Sequence, residues 1–281
     1  MLTMAENHCR ADQVKTACKQ MHLSKLLGKY DSALVAFSGG VDSTYLLYRA
    51  VEIIGRDNVT AVTVDSELIL PKEAEKAQRL AESLNVKHSL LKPDLLSVEA
   101  IKNNDPKRCY YCKKLIYSEL LRLAANTGRA VVMDGTNADD LGEYRPGLKA
   151  LKELGVVSPL MEAGLVKEEI RFLSRKAGLV NWDQPAAPCL ATRFPYGQKV
   201  TAEGLQKIIL AESFLREQGV TNNLRVRCHD NLARIEVEQQ DLSLIFQKRK
   251  TVIKALKSYG FSYVTLDLDG FSSGSMDRDP G

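Results

Sequence analysis

Residues 38–44, Ser38-Gly39-Gly40-Val41-Asp42-Ser43-Thr44, follow a short apolar run at 33–37 and open a segment patterned as a helix at 41–54. Two glycines let the backbone turn tightly, so that its N–H groups and a helix N-terminus converge on an anion, while Ser38, Ser43 and Thr44 add hydroxyl donors. Asp42 suits a helix first turn or a magnesium ion better than it suits a phosphate. The bland alternative is a glycine turn with a serine-rich cap. A strand–SGGxDS–helix arrangement is far more specific than an isolated GxGxxG, and it lacks the lysine of a Walker A loop.

Three cysteines form the second chemical group. Cys109-Tyr110-Tyr111-Cys112 precedes a helix expected at 113–126 and lies among Lys107, Arg108, Lys113 and Lys114. Positive charge and a helix N-terminus both favour the thiolate, which ligates metal or attacks electrophiles. A lone CxxC leaves metal or cluster ligation, a redox pair and an incidental pair all open. Cys189 favours the first: it stands in Pro188-Cys189-Leu190-Ala191-Thr192-Arg193, where prolines suggest a fixed loop beyond the sheet. Three thiolates without an obvious fourth ligand are wrong for a closed structural zinc site, but suit an iron–sulfur cubane with one iron free. Cys9 and Cys18 fall in the terminal segment and Cys228 on a strand that a small buried residue would suit, so these three read as bystanders.

The elements that must position these groups alternate. Strands are expected at 33–37, 59–64, 86–91 and 130–133, with helices at 41–54, 72–84, 113–126 and 167–177 between and after them. The last two helices end near Gly128 and Gly178, where a C-cap glycine belongs. This is an α/β fold, a doubly wound parallel sheet whose ligands sit beyond the carboxyl ends of the strands. After the proline-bearing stretch 181–197, a helix at 201–218, strands at 224–228 and 233–237 joined by a turn at Asp230–Asn231, a helix at 242–259 and a strand at 263–268 make a smaller C-terminal α+β unit. The expected organisation is an N-terminal helical segment (1–30), the sheet domain (31–197), the α+β domain (198–271) and a disordered tail (272–281).

With 281 residues, 44% hydrophobic and 26% charged, the composition is globular. The start carries acidic and His residues where a signal peptide needs an apolar core, and no apolar run approaches a membrane span, so a cytoplasmic enzyme without a membrane partner is expected. Six cysteines there argue for metal or redox chemistry rather than a disulfide framework.

SGGVDST resembles the pyrophosphate loop of the N-type ATP pyrophosphatases, which include GMP, NAD and asparagine synthetases and tRNA thiolases. The resemblance implies that residues 38–44 hold the pyrophosphate end of ATP, that magnesium takes part, and that a carboxylate or carbonyl oxygen is activated as an adenylate. Asp134-Gly135-Thr136-Asn137, with Asp139 and Asp140, ends a strand and is similar to a DGTNxDD stretch beside the ATP site of that superfamily; Asp134, Thr136 and Asp140 are second-tier candidates.

A closer resemblance covers residues 20–276. SGGVDST, YRPGLKA (144–150), CLATRFPYG (189–197), LRVRCHDNLARIEV (224–237) and YGFSYVTLDLDGFSSGSM (259–276) are similar to the ATP-dependent sulfur transferases of nickel-pincer cofactor biosynthesis, the LarE family. It implies adenylation of a pyridinium-3,5-dicarboxylate mononucleotide and its conversion to thiocarboxylates for the nickel cofactor of lactate racemase, with sulfide or another sulfur source. Some members sacrifice the sulfur of the cysteine matching Cys189. Others carry a CxxC besides and are thought to hold a 4Fe-4S cluster; Cys109, Cys112 and Cys189 place this chain with them.

The substrate's own phosphate points to Arg193, Arg225 and Arg227. Arg225 and Arg227, two apart on a strand, share a face and repel unless an anion or carboxylate lies between them; Glu236 on the partner strand could be that carboxylate, leaving an ordinary ion pair. The family associates these arginines with a phosphate site at a subunit interface, which implies a homo-oligomer, a trimer or hexamer. Trp182 and Tyr110, Tyr111, Tyr144 and Tyr196 could stack on a pyridinium or adenine ring, though packing is the commoner role. A tRNA thiolase would use the same loop and cysteines, but a net charge of +4 without a Lys/Arg-dense module argues against a nucleic-acid partner. A non-catalytic iron–sulfur or nucleotide-sensing module is the other rival.

Overall fold

The computed structural model describes residues 4–142, 146–185, 188–272 and 276; Tyr144 and the tail beyond 272, apart from Met276, lie outside the described residues, as does the side chain of Cys9. Two compact units emerge. One gathers Met1–Ser66, Pro71–Pro93 and Cys109–Ala187, and the other Glu67–Leu70, Asp94–Arg108 and Pro188–Gly281.

The first unit is built on four parallel strands, β1 (Ala33–Ala36), β2 (Val59–Val64), β3 (Lys87–Leu91) and β4 (Val131–Met133), in the order β3-β2-β1-β4. Side chains alternate across a strand, so Ala33 and Val35 face one side and Leu34 the other. Behind Ala33 and Val35 lies a core with Leu23 and Leu27 of α1 (Met4–Leu27), Tyr45 and Leu46 of α2 (Val41–Ile54) and Ala77 of α3 (Glu73–Ser83). On the opposite face Leu34, Val62 and Val132 pack against Tyr117, Leu120 and Ala124 of α4 (Arg108–Asn126) and Leu151 of α5 (Pro146–Glu153). Helices on both faces of a parallel sheet are the doubly wound α/β architecture that the sequence implies. The helix α6 (Lys167–Lys176) sends Ile170 and Leu173 into the first core, and Gly178, with φ of 72°, ends it as expected.

Two helical boundaries depart from the sequence reading. The helix expected from 113 begins at Arg108, so Cys109 and Cys112 lie inside α4 and not before it. Its start signal is Asp105-Pro106: the Asp105 carboxylate accepts the Lys107 N–H at 2.6 Å and its carbonyl accepts the Arg108 N–H at 2.8 Å. The helix expected over 242–259 divides at Lys248. There φ and ψ are −88° and 10°, and the ammonium donates to the Gln218 carbonyl at 2.8 Å.

The second unit contains α7 (Ala202–Glu217), the hairpin β5 (Leu224–His229) and β6 (Leu232–Val237), α8 (Leu242–Gln247), α9 (Arg249–Ser258) and β7 (Tyr263–Leu266). β5 and β6 are antiparallel, while β7 joins β6 in parallel. Asp230, at φ of 52°, makes the hairpin turn where the sequence places it. Among the described residues no helix is long and apolar enough to cross a membrane.

Candidate active site

The loop between β1 and α2 is held by its own hydroxyls. Ser43 donates to the Gly40 carbonyl at 3.0 Å, accepts the Ser38 N–H at 3.3 Å and lies 3.1 Å from the Ser38 hydroxyl. Gly39 adopts φ of 74°, and a Cβ there would sit 3.2 Å from both Cα and Cβ of Ala77 on α3. A side chain is therefore excluded twice, by backbone conformation and by the neighbouring helix. Ser38 is exposed, whereas Ser43 and Thr44 are buried, so the latter two shape the loop from within.

Asp42, in the first turn of α2, meets Lys167 at the start of α6 through Oδ2 at 2.6 Å. Its Oδ1 is buried without a hydrogen-bond partner among the described residues. Burial raises the carboxyl above its ordinary value, and Lys167 opposes the shift. One carboxylate oxygen is thus neutralised by an ammonium, the Asn137 side chain also favours the charged form, and the other oxygen is a hard donor of the kind magnesium takes.

The segment after β4 packs directly on this loop. A Cβ at Gly135 would stand 2.9 Å from the backbone nitrogen of Ser43, so only glycine lets the two segments approach. Asp134 is buried and accepts from Thr136 and Ser158, each at 2.5 Å, with the Lys113 ammonium 3.7 Å away. The Tyr117 hydroxyl also hydrogen-bonds it and is pushed well above its ordinary value, chiefly by complete burial. These contacts make Asp134 the link between the cysteine-bearing helix and the strand end. Asp140 accepts the Asn137 N–H at 3.0 Å and Asp139 the Lys167 N–H at 2.8 Å, which ties the segment to α6.

On α4, Cys109 is exposed and Cys112 half-buried. Spaced by three residues, they share a helical face. The Tyr110 hydroxyl donates to Glu153 at 2.7 Å and accepts from Lys114 at 3.0 Å. Tyr111 meets the Tyr110 ring edge to face, Trp182 lies beneath the Arg175 guanidinium at 4.9 Å, and Tyr196 beneath Arg108 at 4.5 Å. All four therefore have packing partners.

In the second unit Cys189 is exposed and caps a short helical turn, Leu190–Arg193. The Leu190 N–H donates to the Leu68 carbonyl at 2.8 Å. Arg193, 1% exposed, forms a two-pronged pair with Glu212 at 2.9 and 3.1 Å and also donates to the Pro188 carbonyl at 3.2 Å. Arg227 pairs with Glu236 at 2.7 and 2.9 Å and donates to the Thr192 carbonyl at 2.8 Å. Both guanidiniums thus clamp the turn that presents Cys189.

Arg225 differs. It donates to its neighbouring Leu224 carbonyl and stacks over Phe271, and among the described residues no carboxylate lies within ion-pair distance of it. Burial first, then the charge of Arg193, lowers its pKa to about 10. A cation held beside other cations is one that an anion would relieve. Structure thus groups Arg193, Arg225, Arg227 and Glu236 around β5 and β6. Among the described residues no three His, Cys, Asp or Glu side chains are grouped to hold a metal. Lys167, Ser158, Glu212 and Asn181 were not singled out by spacing, because each reaches its partner only through the fold.

Residues 32–104 match the family described as queuosine biosynthesis protein QueC. The pyridinium-3,5-bisthiocarboxylic acid mononucleotide synthase of Lactiplantibacillus plantarum is 45% identical over 264 residues, covering 92% of this chain and 94% of that protein. An uncharacterized protein of Synechocystis sp. is 41% identical over 92% of this chain and 97% of its own length. One from Methanocaldococcus jannaschii is 34% identical over 87% and 92%. A likeness of this degree extends through both units, over the pyrophosphate loop as over the cysteine turn and the arginine strands, and on it the chain belongs to the pyridinium-3,5-bisthiocarboxylic acid mononucleotide synthase family, enzymes of the ATP pyrophosphatase type.

Proposed function

We propose that this enzyme adenylates the carboxylates of a pyridinium-3,5-dicarboxylate mononucleotide and converts them to thiocarboxylates destined for a nickel-pincer cofactor such as that of lactate racemase. The observation that carries the reading is the 45% identity to the named synthase across 94% of its length. A carboxylate is a poor acyl donor because its oxygen leaves badly. Its attack on the α-phosphorus of ATP breaks the bond to pyrophosphate, and the oxygen then belongs to AMP. A sulfur nucleophile attacks the acyl carbon, the carbon–oxygen bond breaks, and AMP departs. Loop amides at residues 38–44 would hold the leaving pyrophosphate, Asp42 would hold magnesium, and that ion would supply charge neutralisation at the phosphates. Thr136 and Asp140 would shape the nucleotide side of the site, with Asp134 holding that segment in place.

Arg225, with Arg193 and Arg227 behind it, would receive the substrate's phosphate in a homo-oligomeric, cytoplasmic enzyme, a trimer or hexamer. Cys109, Cys112 and Cys189 would hold a 4Fe-4S cluster, three thiolates leaving one iron open; when bound it would supply transferable sulfide. The sheet-based unit would serve ATP activation and the C-terminal unit substrate phosphate and assembly, with residues 67–70, 94–108 and 188–197 grouped with the latter and not with the expected 31–197 domain.

Pyrophosphate release from ATP is expected to depend on the pyridinium dicarboxylate mononucleotide; stimulation by tRNA alone would sink the assignment. Anaerobically purified protein is expected to contain iron and acid-labile sulfide with an absorbance that Cys109→Ala removes. An iron-free protein in which Cys189 loses the mass of hydrogen sulfide after turnover would instead establish sacrificial donation.

A further inference from the structure

From its place beneath the pyrophosphate loop, we infer that Asn181 is a positioning residue that fixes the orientation of the Gly39–Gly40 peptide and so aims the Gly40 N–H at the pyrophosphate of ATP. The inference rests on the reading that residues 38–44 bind that pyrophosphate.

Asn181 is 6% exposed. Its Nδ2 donates to the Gly39 carbonyl at 2.8 Å and to the Thr44 hydroxyl at 2.9 Å, bridging both ends of the loop. The amide cannot be turned over: a carbonyl only accepts, and reversal would set Oδ1 against the Gly39 oxygen. In the orientation observed, Oδ1 is buried without a partner among the described residues. An unmet buried acceptor is destabilising, so packing alone is a poor reason for asparagine here. The two donors it lends to the loop are a sufficient one.

A trans peptide points its carbonyl and N–H in opposite directions. Anchoring the Gly39 carbonyl on Asn181 therefore turns the Gly40 N–H to the other side, where it meets the exposed Ser38 hydroxyl at 3.3 Å. A peptide between two glycines is the easiest to flip, since neither residue has a Cβ to resist the rotation. Flipped, it would present a carbonyl oxygen to the phosphate in place of an N–H. Asn181 opposes that flip, and it is itself braced. The Gln184 N–H donates to the Asn181 carbonyl at 3.1 Å, Arg171 of α6 donates to the Gln184 carbonyl at 3.3 Å, and Arg175 covers Trp182. Leu179, just before it, is part of the core shared by α2 and α6.

Asn181→Asp keeps the shape but puts a carboxylate against the Gly39 carbonyl; Asn181→Ala removes both donors without adding charge. Binding of ATP, inorganic pyrophosphate and AMP to the full-length protein, followed by calorimetry with melting temperatures measured alongside, tests the inference. Loss of two hydrogen bonds is expected to weaken ATP and pyrophosphate about tenfold or more in both variants, with AMP within about twofold. The exposed neighbour change Val180→Ala is expected to leave all three unchanged. Equal weakening of ATP and AMP, or unaltered pyrophosphate binding in a folded variant of either kind, would overturn the positioning role. Failure of the unaltered protein to bind ATP or pyrophosphate would instead overturn the functional reading beneath it.

Discussion

Cys189→Ala is expected to lower thiocarboxylate formation by about 10³-fold or more while the enzyme still exchanges labelled pyrophosphate into ATP in the presence of the pyridinium dicarboxylate mononucleotide. The two halves of the reaction draw on different side chains. On the proposed reading activation would use the loop amides and Asp42 in the first unit, whereas Cys189 sits in the second on a turn clamped by Arg193 and Arg227. Removing an exposed thiol leaves that clamp intact, because both arginines grip backbone carbonyls and not the cysteine side chain. Stability should therefore hardly change, and an unfolding midpoint equal to that of the unaltered enzyme is the control. Loss of exchange together with transfer would mean that Cys189 serves activation, contrary to the division of labour proposed. Retained transfer would remove it from the sulfur route altogether.

The parallel sheet and its loop were legible because both obey local rules. β2 falls on the run at 59–64 and α2 on 41–54, since an apolar run and a period-3.6 pattern are written in adjacent residues. The start of α4 is set by Asp105-Pro106, a cap signal that outranks the basic run after it and has no expression in the helical periodicity. Glu67–Leu70 and Asp94–Arg108 group with the C-terminal unit through pairings such as Leu68 with Leu190 and Asn104 with the Phe194 carbonyl at 2.9 Å, which no periodicity announces. The loop residues of the candidate site were readable as a motif; the residues that brace them were not. Asn181 lies 142 positions from Gly39, and Ser158 lies 24 from Asp134. Spacing carries no information at those separations.

Glu236→Ala is expected to destabilise the protein by about 3–5 kcal/mol, the usual consequence of removing one partner of a buried ion pair. Glu236 is fully buried and accepts from Arg227 at 2.7 Å and Arg234 at 3.0 Å; its removal takes from the Arg227 guanidinium, 4% exposed, the carboxylate oxygen that it bonds through two nitrogens. Arg225→Ala should behave oppositely. Although Arg225 is the residue paired across the strands with Glu236, that carboxylate bonds Arg227 instead. Its folded pKa of about 10, below the ordinary 12.5, has a definite sign: the protonated form is disfavoured by folding at neutral pH, so deleting the charge relieves the fold. The urea midpoint of Arg225→Ala is expected at or above that of the parent. Its affinity for the phosphorylated substrate should nevertheless fall about tenfold or more, the effect of one lost charge-assisted hydrogen bond. A variant that loses stability but keeps affinity would reverse the assignment and make Arg225 structural, whereas the expected split separates two arginines that share one strand face: Arg227 committed to holding the cysteine turn, and Arg225 left to meet an anion.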